Sequence, residues 1–249
     1  MTLSPRKILT ACVAATAVAA GAPAVASAAT THAGASILIH TDKGSVGECT
    51  LNSVAVRGDQ TYGVTAGHCL NPEEFNGEQP VKITTGSGEL LADAAGIADG
   101  GFVEDGGANP AAPDAGLNDL GWFRLDGSVD ADATGVSSVA QTGTLLDPLL
   151  SGQRLEVGDQ YPVGDSLVGG LVCKDGAISG RTCGPVLSVN SASQEVFALI
   201  PAIAGDSGSP LYVIGGDGKA HVLGALSNGT PVLFNVFDGT WSHQAEIGA

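Results

Sequence analysis

Thr65-Ala66-Gly67-His68-Cys69 and Gly205-Asp206-Ser207-Gly208-Ser209-Pro210 are the two stretches on which the reading of this chain turns. The first sets a histidine in an apolar, small-residue turn. The second sets a serine in a glycine-rich turn. A serine hydroxyl is a weak nucleophile at neutral pH and needs a base within hydrogen-bond reach. Histidine suits that task because its ordinary pKa, about 6.5, lies close to working pH. The imidazole in turn needs a buried carboxylate to fix its tautomer and stabilise the imidazolium. The oxyanion that develops on an attacked carbonyl needs preorganised backbone N–H donors. Gly205 can adopt a backbone shape closed to other residues, so its N–H and that of Ser207 can point into one hole. Alone, residues 205–210 read equally well as an ordinary tight turn. Paired with the His68 turn upstream, they read as base and nucleophile for acyl transfer.

In this order and spacing the two motifs resemble the chymotrypsin-like (trypsin-fold) serine proteases, over roughly residues 35–235. The resemblance implies an all-β fold of two packed antiparallel six-stranded β-barrels, with the triad across their junction. It places the acid between histidine and serine, at the start of an apolar strand. Asn118-Asp119-Leu120-Gly121-Trp122-Phe123 fits, and Asp119 is the candidate, with His68 in the first barrel and Ser207 in the second. The plain alternative for Asp119 is a turn residue capping that strand. Asp114 and Asp126 lie among Pro, Ala and Gly and read as solvated turn residues. The order His68, Asp119, Ser207 excludes an α/β-hydrolase, which runs serine, acid, histidine and needs Gly-x-Ser-x-Gly, where this chain has Ser209 in fifth place. The protease family also has glycine where Ser209 stands.

The chain has 249 residues, a formal net charge of −16, abundant glycine and little helical periodicity. Short apolar runs between Gly, Asp and Pro suggest an all-β barrel or sandwich. Arg6 and Lys7, the apolar run 8–20 and Ala26-Ser27-Ala28 read as a signal peptide over residues 1–28. A lipoprotein processed at Cys12 is the competing reading, but the apolar stretch before it is short. The expected location is therefore secreted and extracellular. No later run is long enough for a membrane span. The acidic charge argues against nucleic acid, which calls for basic patches.

Without Cys12, four cysteines remain: Cys49, Cys69, Cys173 and Cys183. An even number in an exported chain suggests disulfides, and four allow three pairings. The family resemblance implies Cys49–Cys69, beside His68. The stretch 172–184 resembles the bacterial branch, with the alpha-lytic and Streptomyces proteases, and implies Cys173–Cys183. A zinc site is the alternative, but no close ligand pair of the C-x-x-C kind occurs. No metal and no cofactor are expected.

Strands are expected over 36–41, 46–57, 60–65, 80–85, 89–98 and 119–125, then 170–173, 184–193, 195–201, 211–214, 220–227 and 231–237. Residues 29–34 read as a polar leader, 100–118 as a long loop and 126–144 as a polar connector. The first barrel is placed at 29–144 and the second at 145–249.

The resemblance also implies a primary pocket. Its walls are Pro201, six residues before Ser207, and Ser227-Asn228-Gly229. With Pro201 in place of an aspartate, a preference for Lys or Arg is not expected; an apolar or small side chain is. Bacterial members hold the oxyanion turn with a basic side chain, and Lys174 stands in that place, opposite Asp206; a solvated surface charge is the alternative. The expected function is a secreted, monomeric serine endopeptidase acting on protein or peptide substrates through an acyl-enzyme. The alternatives are a catalytically inactive binding protein on the same fold, and an esterase.

Overall fold

The computed structural model describes residues 28–105, 117–230 and 233–240. The expected signal peptide, apart from Ala28, and most of the expected loop 100–118 lie outside the described residues. The strands are β1 (Thr30–Ala33), β2 (Ser36–Thr41), β3 (Val46–Thr50), β4 (Ser53–Arg57), β5 (Gln60–Thr65), β6 (Pro80–Thr85), β7 (Leu90–Asp93), β8 (Gly101–Asp105), β9 (Asn118–Arg124), β10 (Asp130–Ser138), β11 (Gly152–Glu156), β12 (Leu171–Gly176), β13 (Gly180–Asn190), β14 (Glu195–Leu199), β15 (Pro210–Ile214), β16 (Ala220–Thr230) and β17 (Phe234–Gly239). Among the described residues α-helix is confined to α1 (Ala94–Ala98) and α2 (Asp147–Leu150). None of these helices is long and apolar enough to cross a membrane.

The second half closes as a six-stranded barrel in the order β12-β13-β14-β17-β16-β15, every pair antiparallel. Val196 and Ala198 of β14, Leu211 of β15, Leu223 of β16 and Phe237 of β17 fill it. Strand β12 is buried on both faces. Val172 points into the barrel core, while the next residue, Cys173, packs on Ala33 and Val136 outside it, as the two-residue period of a strand requires.

The first half encloses its core with two four-stranded sheets, β3-β2-β6-β7 and β4-β5-β9-β8. Ile37 and Ile39 of β2, Ile83 of β6, Leu91 of β7 and Phe123 of β9 pack between them. The expected strand 46–57 is two strands. The run 46–57 is broken at the buried pair Leu51 and Asn52, and β3 and β4 go to different sheets. A third sheet, β1-β10-β11, holds β1 parallel to β10.

Four other expectations are corrected. The leader contains β1, the connector contains β10 and the loop opens with β8. In β10 only Val136 is a buried apolar residue, and most of the strand is polar and half exposed, so it carries no period-2 signal. The expected strand 89–98 ends at Asp93, whose carboxylate accepts the Gly96 N–H at 2.8 Å and starts α1. The halves meet where Ala55, Tyr62, Val64 and Leu120 pack on Ala225 of β16. Asn52 adds a hydrogen bond from Nδ2 to the Gly224 carbonyl at 3.0 Å.

Candidate active site

His68 follows the end of β5 in a single 3-10 turn, Gly67–Cys69. Asp119 is the second residue of β9, which pairs with β5. The pairing brings the two side chains together: His68 Nδ1 lies 2.8 Å from Asp119 Oδ2, and the His68 N–H donates to Asp119 Oδ1 at 2.8 Å. Ser227 Oγ donates to the same Oδ2. The Asp119 N–H donates to Asp238 Oδ2 of β17 at 2.7 Å. Asp119 is only 2% exposed. Burial alone would raise its pKa, but the hydrogen bond and charge of His68 and the Ser227 hydroxyl hold it below the usual carboxylate range. Burial likewise works against a protonated His68. The hydrogen bond and charge of Asp119, with the charges of Glu104 and Glu74, outweigh it and raise the imidazole pKa.

Ser207 sits in the turn before β15, on the far side of the junction. Three contacts press this turn onto the first half: the Thr50 N–H donates to the Ser207 carbonyl at 2.7 Å, the Thr50 hydroxyl donates to the Gly205 carbonyl at 2.9 Å, and Gly208 lies against Thr50, Thr65 and Ala66. Within its own half, the Gly208 N–H donates to the Leu226 carbonyl at 2.8 Å. Gly208 has φ +85°, and a Cβ there would strike the Thr50 carbonyl and the Thr65 hydroxyl, so no other residue fits. Ser209, where the family has glycine, is fully buried, and its hydroxyl donates to the Asp206 carbonyl within the turn. Among the described residues Ser207 Oγ makes no hydrogen bond to His68 Nε2; such bonds are often long without substrate and tighten in the complex. Gly205 has φ +94°. Among the described residues the N–H groups of Gly205 and Ser207 donate to nothing in the protein, which leaves both available to an anion.

Asp206 anchors the turn from behind. Lys174 Nζ lies 3.1 Å from Asp206 Oδ2, and both side chains are fully buried. Lys174 also donates to Ser179 Oγ at 2.6 Å. The N–H groups of Ile178 and Ser179 donate to Asp206 Oδ1, and that of Ile203 to Oδ2. Burial opposes ionisation of Asp206, but the Lys174 charge and these donors lower its pKa. A carboxylate held this way adds stability above its ordinary pKa and loses it as pH falls through the depressed folded value. Lys174→Met leaves a buried, unpaired carboxylate. It is expected to cost about 3–5 kcal/mol of stability and to lower activity by loosening the oxyanion turn. Urea unfolding and steady-state rates on one preparation check this; wild-type values in both would contradict it.

Both expected disulfides are formed. Cys49–Cys69 joins β3 to the His68 turn, and Cys173–Cys183 joins directly opposed positions of β12 and β13. Cys49, His68 and Cys69 are the one group of possible metal-ligand atoms gathered among the described residues, but the two sulfurs are spent on each other.

The residues expected as pocket walls each have a partner, and one neighbour was not announced by the sequence. Ser227 turns its hydroxyl to Asp119, Asn228 accepts the Gly229 N–H, and the Pro201 carbonyl accepts from Thr182 Oγ1 at 2.8 Å. Asn235 of β17 stands opposite Gly229 in register and is 4% exposed. Its Nδ2 donates to the Ile200 carbonyl, while its Oδ1 fills the space where a Gly229 Cβ would be. The amide thus lies against both Ile200 and Gly229. Nothing in the sequence pattern around Phe234-Asn235-Val236 marks it.

No protein-family model matches the chain, and no curated protein matches it by sequence. Solved structures do. Protease A of Thermobifida fusca superposes with a TM-score of 0.58 at 19% identity, over 88% of this chain and 97% of that one. The Nocardiopsis protease gives 0.57 at 18%, over 88% and 97%. The Cellulomonas bogoriensis chymotrypsin gives 0.54 at 20%, over 88% and 96%. At these identities the likeness is one of fold: the chain has the trypsin-like fold of the bacterial chymotrypsin-like serine proteases.

Proposed function

We propose that the chain is a secreted serine endopeptidase. His68 Nε2 takes the Ser207 proton as Oγ attacks the scissile carbonyl. Asp119 holds the ring by Nδ1 and stabilises the imidazolium. The N–H groups of Gly205 and Ser207 receive the oxyanion. The imidazolium then returns its proton to the leaving amine, an acyl-enzyme forms on Oγ, and water releases it by the same path in reverse. The observation that carries the reading is the His68–Asp119 pair, its carboxylate buried, beside a clamped serine turn whose Gly205 and Ser207 N–H groups are unspent among the described residues. The fold neighbours named above are proteases by name, which supports it. Residues 1–28 and the two disulfides support export. The missing Ser207–His68 hydrogen bond favours the second reading, a non-catalytic binding protein on this fold. Against it stands the full set of groups that only catalysis uses.

Asn235 sets the substrate class in this reading. With its amide across the pocket, the cleft takes a small side chain on the acyl side of the scissile bond. Peptide p-nitroanilides ending in Ala should be cleaved at a higher kcat/KM than those ending in Phe, Lys or Arg. Asn235→Gly should open the pocket and raise the Phe-to-Ala ratio at least about 10-fold, since one or two methylenes of fit discriminate by that much or more. A variant with the wild-type ratio would remove Asn235 from this role. Hydrolysis of none of these peptides by the folded wild type would count against the peptidase itself.

A further inference from the structure

Thr50, the last residue of β3, is fully buried, and each of its polar atoms is engaged at the junction. Its hydroxyl donates to the Gly205 carbonyl at 2.9 Å and accepts the Ala177 N–H at 2.9 Å. Its N–H donates to the Ser207 carbonyl at 2.7 Å. Its own carbonyl accepts from Thr65 Oγ1 at 2.9 Å. Cys49 precedes it in the chain and is bonded to Cys69, the residue after His68.

These bonds single out Thr50 from the many buried hydroxyls of the chain. Along the chain the Gly205 carbonyl lies between the two N–H groups assigned to the oxyanion and the Ser207 carbonyl follows the second, and Thr50 binds both carbonyls. Holding them toward the first half fixes the peptide planes of the turn. The second anchor of the turn, Asp206, receives the N–H groups of Ile178 and Ser179, directly after the Ala177 that donates to Thr50. The two anchors therefore share one segment, 177–179. Through Cys49–Cys69 the same strand is tied to the base. Nucleophile turn and base are carried by different halves of the molecule, and Thr50 is where their spacing is set.

We propose that Thr50 is a positioning residue whose hydroxyl holds the Gly205–Ser207 turn in its anion-binding shape and at its working distance from His68. The proposal rests on the peptidase reading above. Thr50 touches no substrate, so its loss acts on the transition state and spares ground-state binding. A valine has nearly the same shape and lacks the hydroxyl, and a serine restores it.

The test compares wild type, Thr50→Val and Thr50→Ser with a peptide p-nitroanilide ending in Ala. Thr50→Val should lower kcat about 10- to 100-fold, somewhat less than loss of an oxyanion donor itself, with KM within about 3-fold. A peptide boronate, which mimics the tetrahedral adduct, should lose affinity by the same factor as kcat/KM. Thr50→Ser should recover most of both. If Thr50→Val fails to fold, Thr50→Ala, which also removes the hydroxyl but relieves crowding, carries the same comparison. Unchanged kcat in a folded hydroxyl-less variant, or a Thr50→Ser no better than Thr50→Val, would overturn the proposal while leaving the peptidase intact. A wild type that hydrolyses nothing would overturn the peptidase reading and this one with it.

Discussion

Ser207→Ala should lower kcat by about 10⁶, with KM and the unfolding midpoint close to wild type. The expectation follows from how the groups share the work. Without Oγ there is nothing for His68 to deprotonate and no acyl-enzyme, so losing either residue alone costs nearly as much as losing both. The fold should hardly notice. Ser207 is half-buried, its hydroxyl bonds nothing among the described residues, and its carbonyl remains for the Thr50 N–H. The N–H of residue 207 also survives in the alanine variant, so a small rate above water should persist through the oxyanion donors. Steady-state rates of wild type, Ser207→Ala, His68→Ala and the double variant at equal folded-protein concentration measure this. Losses that multiply in the double variant would show that the two residues do not act as a unit.

Asp119→Asn should lower kcat by about 10⁴ at neutral pH. Oδ2 of Asp119 faces His68 Nδ1 and also accepts the Ser227 hydroxyl, while Oδ1 accepts the His68 N–H. An amide can satisfy these only in part. With its NH₂ toward the ring, Nδ1 becomes an acceptor and the ring proton moves to Nε2, where it faces Ser207 and blocks proton uptake. The charge is lost as well. Asp119, Glu104 and Glu74 raise the His68 pKa in the wild type. The base must be neutral to act, so wild-type kcat/KM should rise with pH through a value above 6.5, the ordinary value for histidine. In Asp119→Asn the imidazolium loses its main partner, so that limb should move to lower pH while the plateau falls. A pH profile of kcat/KM for both proteins reads both effects. An unchanged plateau would remove Asp119 from the role of acid.

The candidate site is more legible in the sequence than the scaffold. His68 and Ser207 sit in short local motifs, so residue type and neighbours single them out as candidates without any fold. Asp119 needed the family resemblance, because a single aspartate before an apolar strand is a common pattern. Lys174 opposite Asp206 rested on the same resemblance, and the structure pairs them at full burial. Thr50 and Asn235 were illegible. Their positions follow from strand register across sheets, Ser36 opposite Thr50 and Gly229 opposite Asn235, which no local pattern encodes. Strands β1, β8, β10 and β11 were missed for a related reason. Each is short or polar and is held by pairing with partners distant in sequence, so its own apolar period is weak. Ser227 is legible only in part: the resemblance places it as a pocket wall, and its hydroxyl is bonded to Asp119.

The central claim is that base, nucleophile and anion-binding turn form one working assembly. Covalent labelling of the folded protein, processed after Ala28, with a fluorophosphonate tests it most directly, because the reagent needs all three at once. The account predicts stoichiometric labelling of the wild type at Ser207 and none of Ser207→Ala. A folded wild type that stays unlabelled would contradict it and favour the binding-protein reading.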